Sequence, residues 1–142
     1  MAARQICVKM KNESGALHQV TELLKLEGVN IRAISVLDPG NRAVVSMMVD
    51  DPELASNALA SGGVSFYVED VIAAEVPDHP GGLHAVLGAL ESAGINVQQL
   101  YSYLGRSGPH AILILVVDKL DEARAVLKEH WVRVFDEDVY ER

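Results

Sequence analysis

The chain contains the same pattern twice, and this internal repeat limits its possible folds more than any other feature. Residues 12–20 match residues 78–86 at a shift of 78 minus 12, or 66 positions, with Gly15 on Gly81 and Leu17 on Leu83. Each copy continues to a second glycine, an apolar residue and an asparagine, at residues 28–30 and again at residues 94–96. A period of about half the chain predicts two copies of one small folding unit.

Hydrophobic spacing predicts the same order of elements in both halves. Strand-like segments are residues 5–10, 30–37, 42–49 and 64–68, then 72–76, 97–104, 111–117 and 131–135; helical spacing follows Gly15 and Pro52, and fills residues 83–93 and 120–128. Residues 38–41 and 105–109 are turn signals between the middle strands of each half, which indicates antiparallel hairpins. Each half is therefore predicted to run strand, helix, strand, strand, helix, strand, and the predicted domains are residues 1–70 and 71–142.

Each half is near the size at which one hydrophobic core is marginally stable. We therefore expect the two halves to pack as a pseudo-symmetric pair, and the whole chain to form a homodimer. The fold class expected is α+β with antiparallel sheets.

Composition excludes several kinds of partner. A net charge of −8 disfavours nucleic acid and anionic membranes, because both need clustered Lys and Arg. Cys7 is the single cysteine, which fits a reducing compartment. The N-terminus has no signal-peptide pattern, and the longest apolar run, residues 111–117, is too short to span a bilayer. A cytoplasmic protein is expected.

The repeated turn and the glycine-asparagine sequence together resemble tandem ACT domains, over about residues 4 to 140. Residues 78–83, Asp-His-Pro-Gly-Gly-Leu, are similar to the family's Asp-x-Pro-Gly-x-Leu, and residues 94–97 to its Gly-Ile-Asn-Ile. The first copy departs from the pattern, because Ser14 stands where proline is common. The resemblance implies two ferredoxin-like βαββαβ units that bind a free amino acid at an interface between ACT units and regulate an amino-acid metabolic enzyme or act as sensors.

The turn itself has chemistry that suits an amino acid. A helix N-terminus offers unpaired N–H groups to a carboxylate, and glycine lets a ligand approach the backbone. An asparagine side chain can accept from an ammonium and donate to a carboxylate, so these groups would meet if the strand lies beside the turn. The predicted ligand-binding residues are Asn12, Glu13, Ser14, Gly15, Ala16, Leu17, Asn30 and Ile31 in the first half, and Asp78, His79, Pro80, Gly81, Gly82, Leu83, Asn96 and Val97 in the second.

Each of these residues also has a purely structural interpretation. Gly15 and Gly81 can be simple turn glycines, and Asn30 and Asn96 tolerate a left-handed backbone after a helix stop. His18 and His84 recur in the first helical turn, where a ligand or solvent would meet them. His79 has Glu13 as its counterpart, so the two turns can differ in ligand preference.

Other functions have weaker support in the sequence. The chain has no phosphate loop and no nucleophile elbow, so it is predicted not to be an enzyme, with no catalytic residues. Its histidines lack the spacing of a metal site, and no metal or other cofactor is expected. The predicted central strands lack the exposed aromatics of RNA-binding sheets. The function predicted is an amino-acid-binding regulator, and the alternative is an interaction module or regulatory subunit without a free ligand.

Overall fold

The computed structural model describes residues 2–11, 13–40, 42–107 and 110–142, with backbone only for residues 105–107. Its elements, in chain order, are β1 (Arg4–Lys11), α1 (Ala16–Leu26), β2 (Ile31–Leu37), β3 (Arg42–Val49), α2 (Pro52–Ser61), β4 (Phe66–Asp70), β5 (Ile72–Val76), α3 (Gly82–Ser92), β6 (Val97–Ser107), β7 (His110–Val117), α4 (Leu120–Glu129) and β8 (Val134–Phe135), followed by a 3-10 helix (Glu137–Glu141).

These elements form two four-stranded sheets that repeat one topology. The first sheet has the order β2-β3-β1-β4 and the second β6-β7-β5-β8. The pairs β1–β3, β2–β3, β5–β7, β6–β7 and β5–β8 are antiparallel. The predicted α+β class with two βαββαβ ferredoxin-like units is therefore confirmed. The compact units contain residues 4–69 in one case, and residues 70–142 with the N-terminal residues 2 and 3 in the other.

Each unit buries its own core between one sheet and two helices. In the N-terminal unit Ile6 and Val8 of β1 pack in one cluster with Val20 and Leu24 of α1 and Leu59 of α2. The C-terminal unit has the same arrangement, listed by its fully buried members: Ile72, Ala74, Leu90, Leu115, Ala123 and Leu127. Apolar spacing predicts an inward-facing stripe that includes Leu83 in α3 and could extend to Leu26 in α1. These two side chains are instead 38% and 74% exposed.

Helix ends follow the local chemistry of the sequence. Asp51 caps α2 by accepting a hydrogen bond from the Leu54 N–H at 3.1 Å. Gly28 and Gly94 follow α1 and α3 with φ of 72° and 71°, the left-handed conformation typical of a glycine that ends a helix. The sequence allows either Ser14 or Asn12 to cap α1. The described residues, which do not include Asn12, give this helix no side-chain cap.

Three strands differ from their predicted bounds by two or more residues. Strand β4 begins at Phe66 and continues to Asp70, two residues later at each end than predicted. Strand β8 contains only Val134 and Phe135. Trp131, which was predicted to begin this strand, instead follows α4 in a turn and has a positive φ. Strand β6 extends to Ser107, into the segment predicted as a turn; Asn41, Gly108 and Pro109 of the two predicted hairpin turns lie outside the described residues.

Candidate functional site in the repeated turns

The two turns that precede α1 and α3 have the same backbone hydrogen bonds. The Glu13 N–H donates to Lys11 O at 2.9 Å, and the His79 N–H donates to Pro77 O at 3.0 Å. Three residues further along each turn, the Ala16 N–H donates to Glu13 O at 3.1 Å, and the Gly82 N–H donates to His79 O at 3.0 Å. The repeat in sequence is therefore also a repeat in local geometry.

Glycine is required at the residue before each helix. Gly15 has φ +87° and Gly81 has φ +88°, in the left-handed region that disfavours other residues. Both are the N-cap residues of their helices, and within the described chain neither helix has a side-chain hydrogen bond at that cap. The N–H groups of Ala16 and Gly82 already donate within the turns, whereas those of the next two residues have no partner inside the helix. The first turn of each helix therefore presents donors suited to an anion.

The glycine that follows Gly81 has a packing role. A Cβ atom on Gly82 would lie 2.1 Å from Pro77 O, a backbone atom that cannot move aside cheaply. The N-terminal unit has Ala16 at this position, so its turn accommodates a methyl group. The two turns thus share hydrogen bonds while differing in how closely the helix approaches the preceding strand.

Most of the remaining turn residues are at the surface. Ser14, Asp78 and Pro80 are exposed, and Leu17 is partly buried against the N-terminal core. Glu13 Oε1 pairs with Lys11 Nζ at 3.1 Å. Asn12, the first of the predicted binding residues, lies outside the described residues.

The predicted asparagines lie where α1 and α3 lead into β2 and β6. The Asn30 N–H donates to Asp50 Oδ1 at 2.9 Å, and the Asn96 N–H donates to Asp118 Oδ1 at 3.0 Å. The side chain of Asn96 also lies beside the same carboxylate, with Nδ2 3.4 Å from Asp118 Oδ2. Both asparagines are exposed, while the residues after them, Ile31 and Val97, are partly buried and begin the strands.

Within one unit the turns and the asparagines are at opposite ends. Lys11, just before the first turn, pairs with Arg42 at the start of β3, whereas Ile31 pairs with Val49 at its end. In the C-terminal unit Val76 and Val97 likewise pair with the two ends of β7, at Ala111 and Val117. Each intervening helix has 11 residues and is about 16 Å long. The structure therefore brings together each set of turn residues, and does not bring a turn to the asparagine of its own unit.

Each turn borders a cavity inside its own unit. The C-terminal cavity, of about 370 Å³, is lined by the turn residues His79, Gly81 and Gly82 and by strand and loop residues that include Glu75, His110, His130, Trp131 and Arg133. The N-terminal cavity, of about 640 Å³, is lined by Ala16 with Lys9, Lys11, Glu22, Gly62 and Gly63 among others. The volumes are within the range of small-molecule pockets. We refer to these two spaces as the C-terminal and N-terminal turn cavities.

The sequence prediction missed the loop that completes each turn cavity. His130, Trp131 and Arg133 belong to the segment between α4 and β8, far from the turn in sequence. In the second half a shift of 68 places Trp131 on Gly63, and this alignment was available as a signal.

Arg32, two residues after Asn30, was also missed. Its Nε is buried and has no hydrogen-bond partner among the described residues.

The chain is a small two-unit α+β protein. Its two ferredoxin-like units are copies of one pattern, and each has a glycine turn before its first helix. The family model for the ACT domain pair matches residues 1–141. The chain therefore belongs to the ACT domain pair family.

Solved structures agree with this assignment. Protein BT0572 from Bacteroides thetaiotaomicron is 29% identical, with a TM-score of 0.92, and the match covers 100% of this chain and 98% of that one. The regulatory subunit of aspartate kinase from Thermus thermophilus, in its ligand-free form, is 18% identical with a TM-score of 0.63 and coverage of 89% of both chains. The corresponding subunit from Thermus flavus is 18% identical, with a TM-score of 0.60 and 90% coverage of each. Comparison with curated proteins gives no match.

Among the residues that the structure describes, no helix is long and apolar enough to cross a membrane. Residues 2–11, 13–40, 42–107 and 110–142 contain no group of three or more His, Cys, Asp or Glu side chains placed to hold a metal ion.

Proposed function

We propose that this protein is a cytoplasmic regulator that binds a free amino acid, with the turn of one unit and the asparagine end of a unit from a second copy of the chain as its contacts. Its two ACT domains are residues 1–70 and 71–142, the bounds predicted from the repeat. The observation that carries the proposal is the separation of turn and asparagine by the length of α1 or α3. One small ligand can contact both only where another unit supplies the second end.

Chemistry supports this assignment of roles. The N–H groups of Leu83 and His84, in the first turn of α3, suit the carboxylate of an amino acid. Asn96 offers a carboxamide oxygen to the ammonium. Its backbone is held in place because its N–H donates to Asp118 Oδ1 and its carbonyl accepts from the Asp118 N–H. The same fold occurs in aspartate kinase regulatory subunits. We extend the proposal to an enzyme partner in amino-acid metabolism, which responds to ligand occupancy.

Thermal unfolding of the whole chain with each of the twenty amino acids tests the proposal. A ligand at a hundred times its dissociation constant stabilises the folded state by about 2.7 kcal/mol, and light scattering on the same samples reports whether the ligand favours a dimer. The double variant Asn30→Ala/Asn96→Ala should lose the ligand-dependent shift and keep its fold. No shift with any amino acid would refute the proposal.

A second candidate is an interaction module that binds a protein partner and no free ligand. The edge strands β2 and β6 favour it, because they expose Val36, Leu37 and Leu104 at 48%, 63% and 75%. This candidate predicts co-purification with a larger partner and no ligand-dependent change in unfolding temperature. Asn96→Ala would then leave partner binding unchanged.

A further inference from the structure

The two turn cavities are built from equivalent positions of the repeat, yet they differ in size. The N-terminal cavity has a volume of about 640 Å³ and the C-terminal one about 370 Å³. Gly62 and Gly63 line the larger cavity, and His130 and Trp131 line the smaller one at the equivalent positions, 68 residues later. The glycine pair places no side chains on this wall, so the wall leaves room for a ligand in the N-terminal unit.

Apolar side chains make up half of the lining of the N-terminal turn cavity. They come from β1, α1 and the loop before β4: Val8, Met10, Ala16, Val20, Leu23, Leu26 and Val64. Val8 and Val20 are buried members of the core of this unit, and Met10, Leu23 and Val64 pack against it. The cavity is therefore continuous with the core, and an apolar group that enters it would leave water as a core side chain does.

Leu26 lines this cavity without having a role in the core. Its side chain is 74% exposed, although it lies beside Leu23 in the cavity lining. At a shift of 66 residues the C-terminal unit has Ala89 and Ser92 in place of these two leucines, and its helix α3 has the same 11 residues as α1. The fold therefore does not require a leucine at position 26, whereas an apolar ligand in the cavity would remove this side chain from water.

The charged groups of the N-terminal cavity have contacts at its edge. Three charged residues line it, namely Lys9, Lys11 and Glu22. Lys9 Nζ lies 5.6 Å from the centroid of the Tyr67 ring. Lys11 Nζ pairs with Glu13 Oε1 at 3.1 Å, and Glu22 is exposed. The apolar lining is therefore the main contact available to a ligand side chain inside this cavity.

The C-terminal cavity is more polar. Five ionisable side chains line it: Glu75, His79, His110, His130 and Arg133. Glu75 Oε1 lies 3.6 Å from His110 Nε2, and Glu75 Oε2 lies 3.8 Å from Arg133 Nη1. An apolar group placed there would displace water from these polar side chains, which is unfavourable. The two cavities thus differ in polarity, and the N-terminal one is suited to an apolar group.

Building on the proposed amino-acid binding, we propose that the N-terminal turn cavity receives the side chain of the ligand and selects a large apolar one. The carboxylate of the ligand meets the N–H groups of Leu17 and His18 in the first turn of α1, and its ammonium meets the asparagine of a second copy, as in the proposed function. The ligand side chain extends along α1 toward Leu23 and Leu26. A polar side chain of the same length loses its hydration against these residues.

A series of unbranched amino acids tests this selection by calorimetric titration of the whole chain. L-alanine, L-2-aminobutyrate, L-norvaline and L-norleucine differ by one methylene at each step. Affinity should rise about fourfold with each buried methylene, so that L-norleucine binds about 60-fold more tightly than L-alanine. L-glutamine is similar in length to L-norleucine but polar, and should bind about as weakly as L-alanine.

Substitution of Leu26 tests where the ligand side chain lies. Leu26→Ser changes an exposed residue to the type found in the C-terminal unit, and circular dichroism should show an intact fold. It should weaken L-norleucine binding about tenfold and leave L-alanine binding unchanged, because only the longer side chain reaches Leu26. The matched control is Leu104→Ser, at a leucine that is 75% exposed and lines neither turn cavity, and this variant should bind both ligands like the wild type.

Three results would overturn the inference. If L-alanine and L-norleucine bind with equal affinity, the ligand side chain does not enter an apolar cavity, although amino-acid binding itself stands. If Leu26→Ser changes the affinities for L-alanine and L-norleucine by the same factor, or changes neither, the ligand side chain lies outside the N-terminal turn cavity. If no amino acid shifts thermal unfolding of the whole chain, the proposed function fails together with this inference.

Discussion

Asn96 and Asp118 exchange hydrogen bonds at the point where β6 begins and β7 ends. The Asn96 N–H donates to Asp118 Oδ1 at 3.0 Å, and the Asp118 N–H donates to Asn96 O at 3.2 Å. Asn30 and Asp50 repeat the arrangement at 2.9 and 3.1 Å. The aspartate therefore fixes the backbone of each asparagine, so that its carboxamide is presented from a defined position.

Removal of the carboxylate should destabilise the C-terminal unit. Asp118→Ala is expected to lower the free energy of unfolding by about 1 kcal/mol, because the Asn96 N–H loses a charge-assisted acceptor at an exposed site. Asp118→Asn keeps an oxygen acceptor and should lose less. Urea unfolding measures both variants, and an equal loss for the two would show that the hydrogen bond contributes little.

The residues that precede α2 and α4 differ in whether they cap the helix, and a substitution can convert one type into the other. Asp51 and Lys119 are equivalent positions, 119 minus 68, with similar backbone angles of −138°, 88° and −135°, 80°. Asp51 caps its helix, whereas Lys119 makes no side-chain cap and places a positive charge at the positive end of the dipole.

Lys119→Asp should therefore stabilise the protein by about 1 kcal/mol, and Asp51→Ala should destabilise it by a similar amount. Lys119→Ala is the control that removes the charge without adding a cap. It should recover only part of the gain in a thermal unfolding experiment. A loss of stability with Lys119→Asp would contradict the cap argument.

Local patterns in the sequence predicted most elements, because their signals are short-range. The strand over residues 42–49 and the helix that begins at Pro52 were predicted from neighbours in the chain, and both are confirmed. Trp131 was placed at the start of the strand predicted over residues 131–135 from hydrophobic spacing. Comparison with Gly63 would have indicated a turn.

The arrangement of the predicted binding residues depended on topology, which local patterns do not contain. Gly15 and Asn30 flank one helix, and a helix that connects two strands carries the chain to the other end of the sheet. Their separation is therefore a consequence of the element order and the helix length. The wall residues Glu75 and Arg133 meet only because β5 pairs with β8, a contact between distant parts of the chain.

Gly82 should tolerate no larger residue. A Cβ atom would be 2.1 Å from Pro77 O, so Gly82→Ala must displace α3 from β5, and overpacking of this kind costs about 1 to 3 kcal/mol. The matched control is Ala16→Gly, which removes a methyl group at the equivalent position of the other unit and should change stability by less than about 1 kcal/mol. Denaturant unfolding compares the two, and equal effects would exclude the steric explanation.

Trp131 allows the cost of its backbone conformation to be measured. Trp131→Ala removes the ring and leaves a Cβ atom in the left-handed region, whereas Trp131→Gly relieves the strain by about 1 to 2 kcal/mol but adds unfolded-state entropy worth about 0.4 to 1 kcal/mol. Because the strain is the larger quantity, the glycine variant should be the more stable of the two, by up to about 1 kcal/mol. Gly63→Ala introduces the same strain at the equivalent position, with open space around the added methyl. Gly63→Ala should therefore lower the stability measured by thermal unfolding by a similar amount. If Trp131→Gly is no more stable than Trp131→Ala, and Gly63→Ala is as stable as the wild type, the left-handed backbone at Trp131 is not strained.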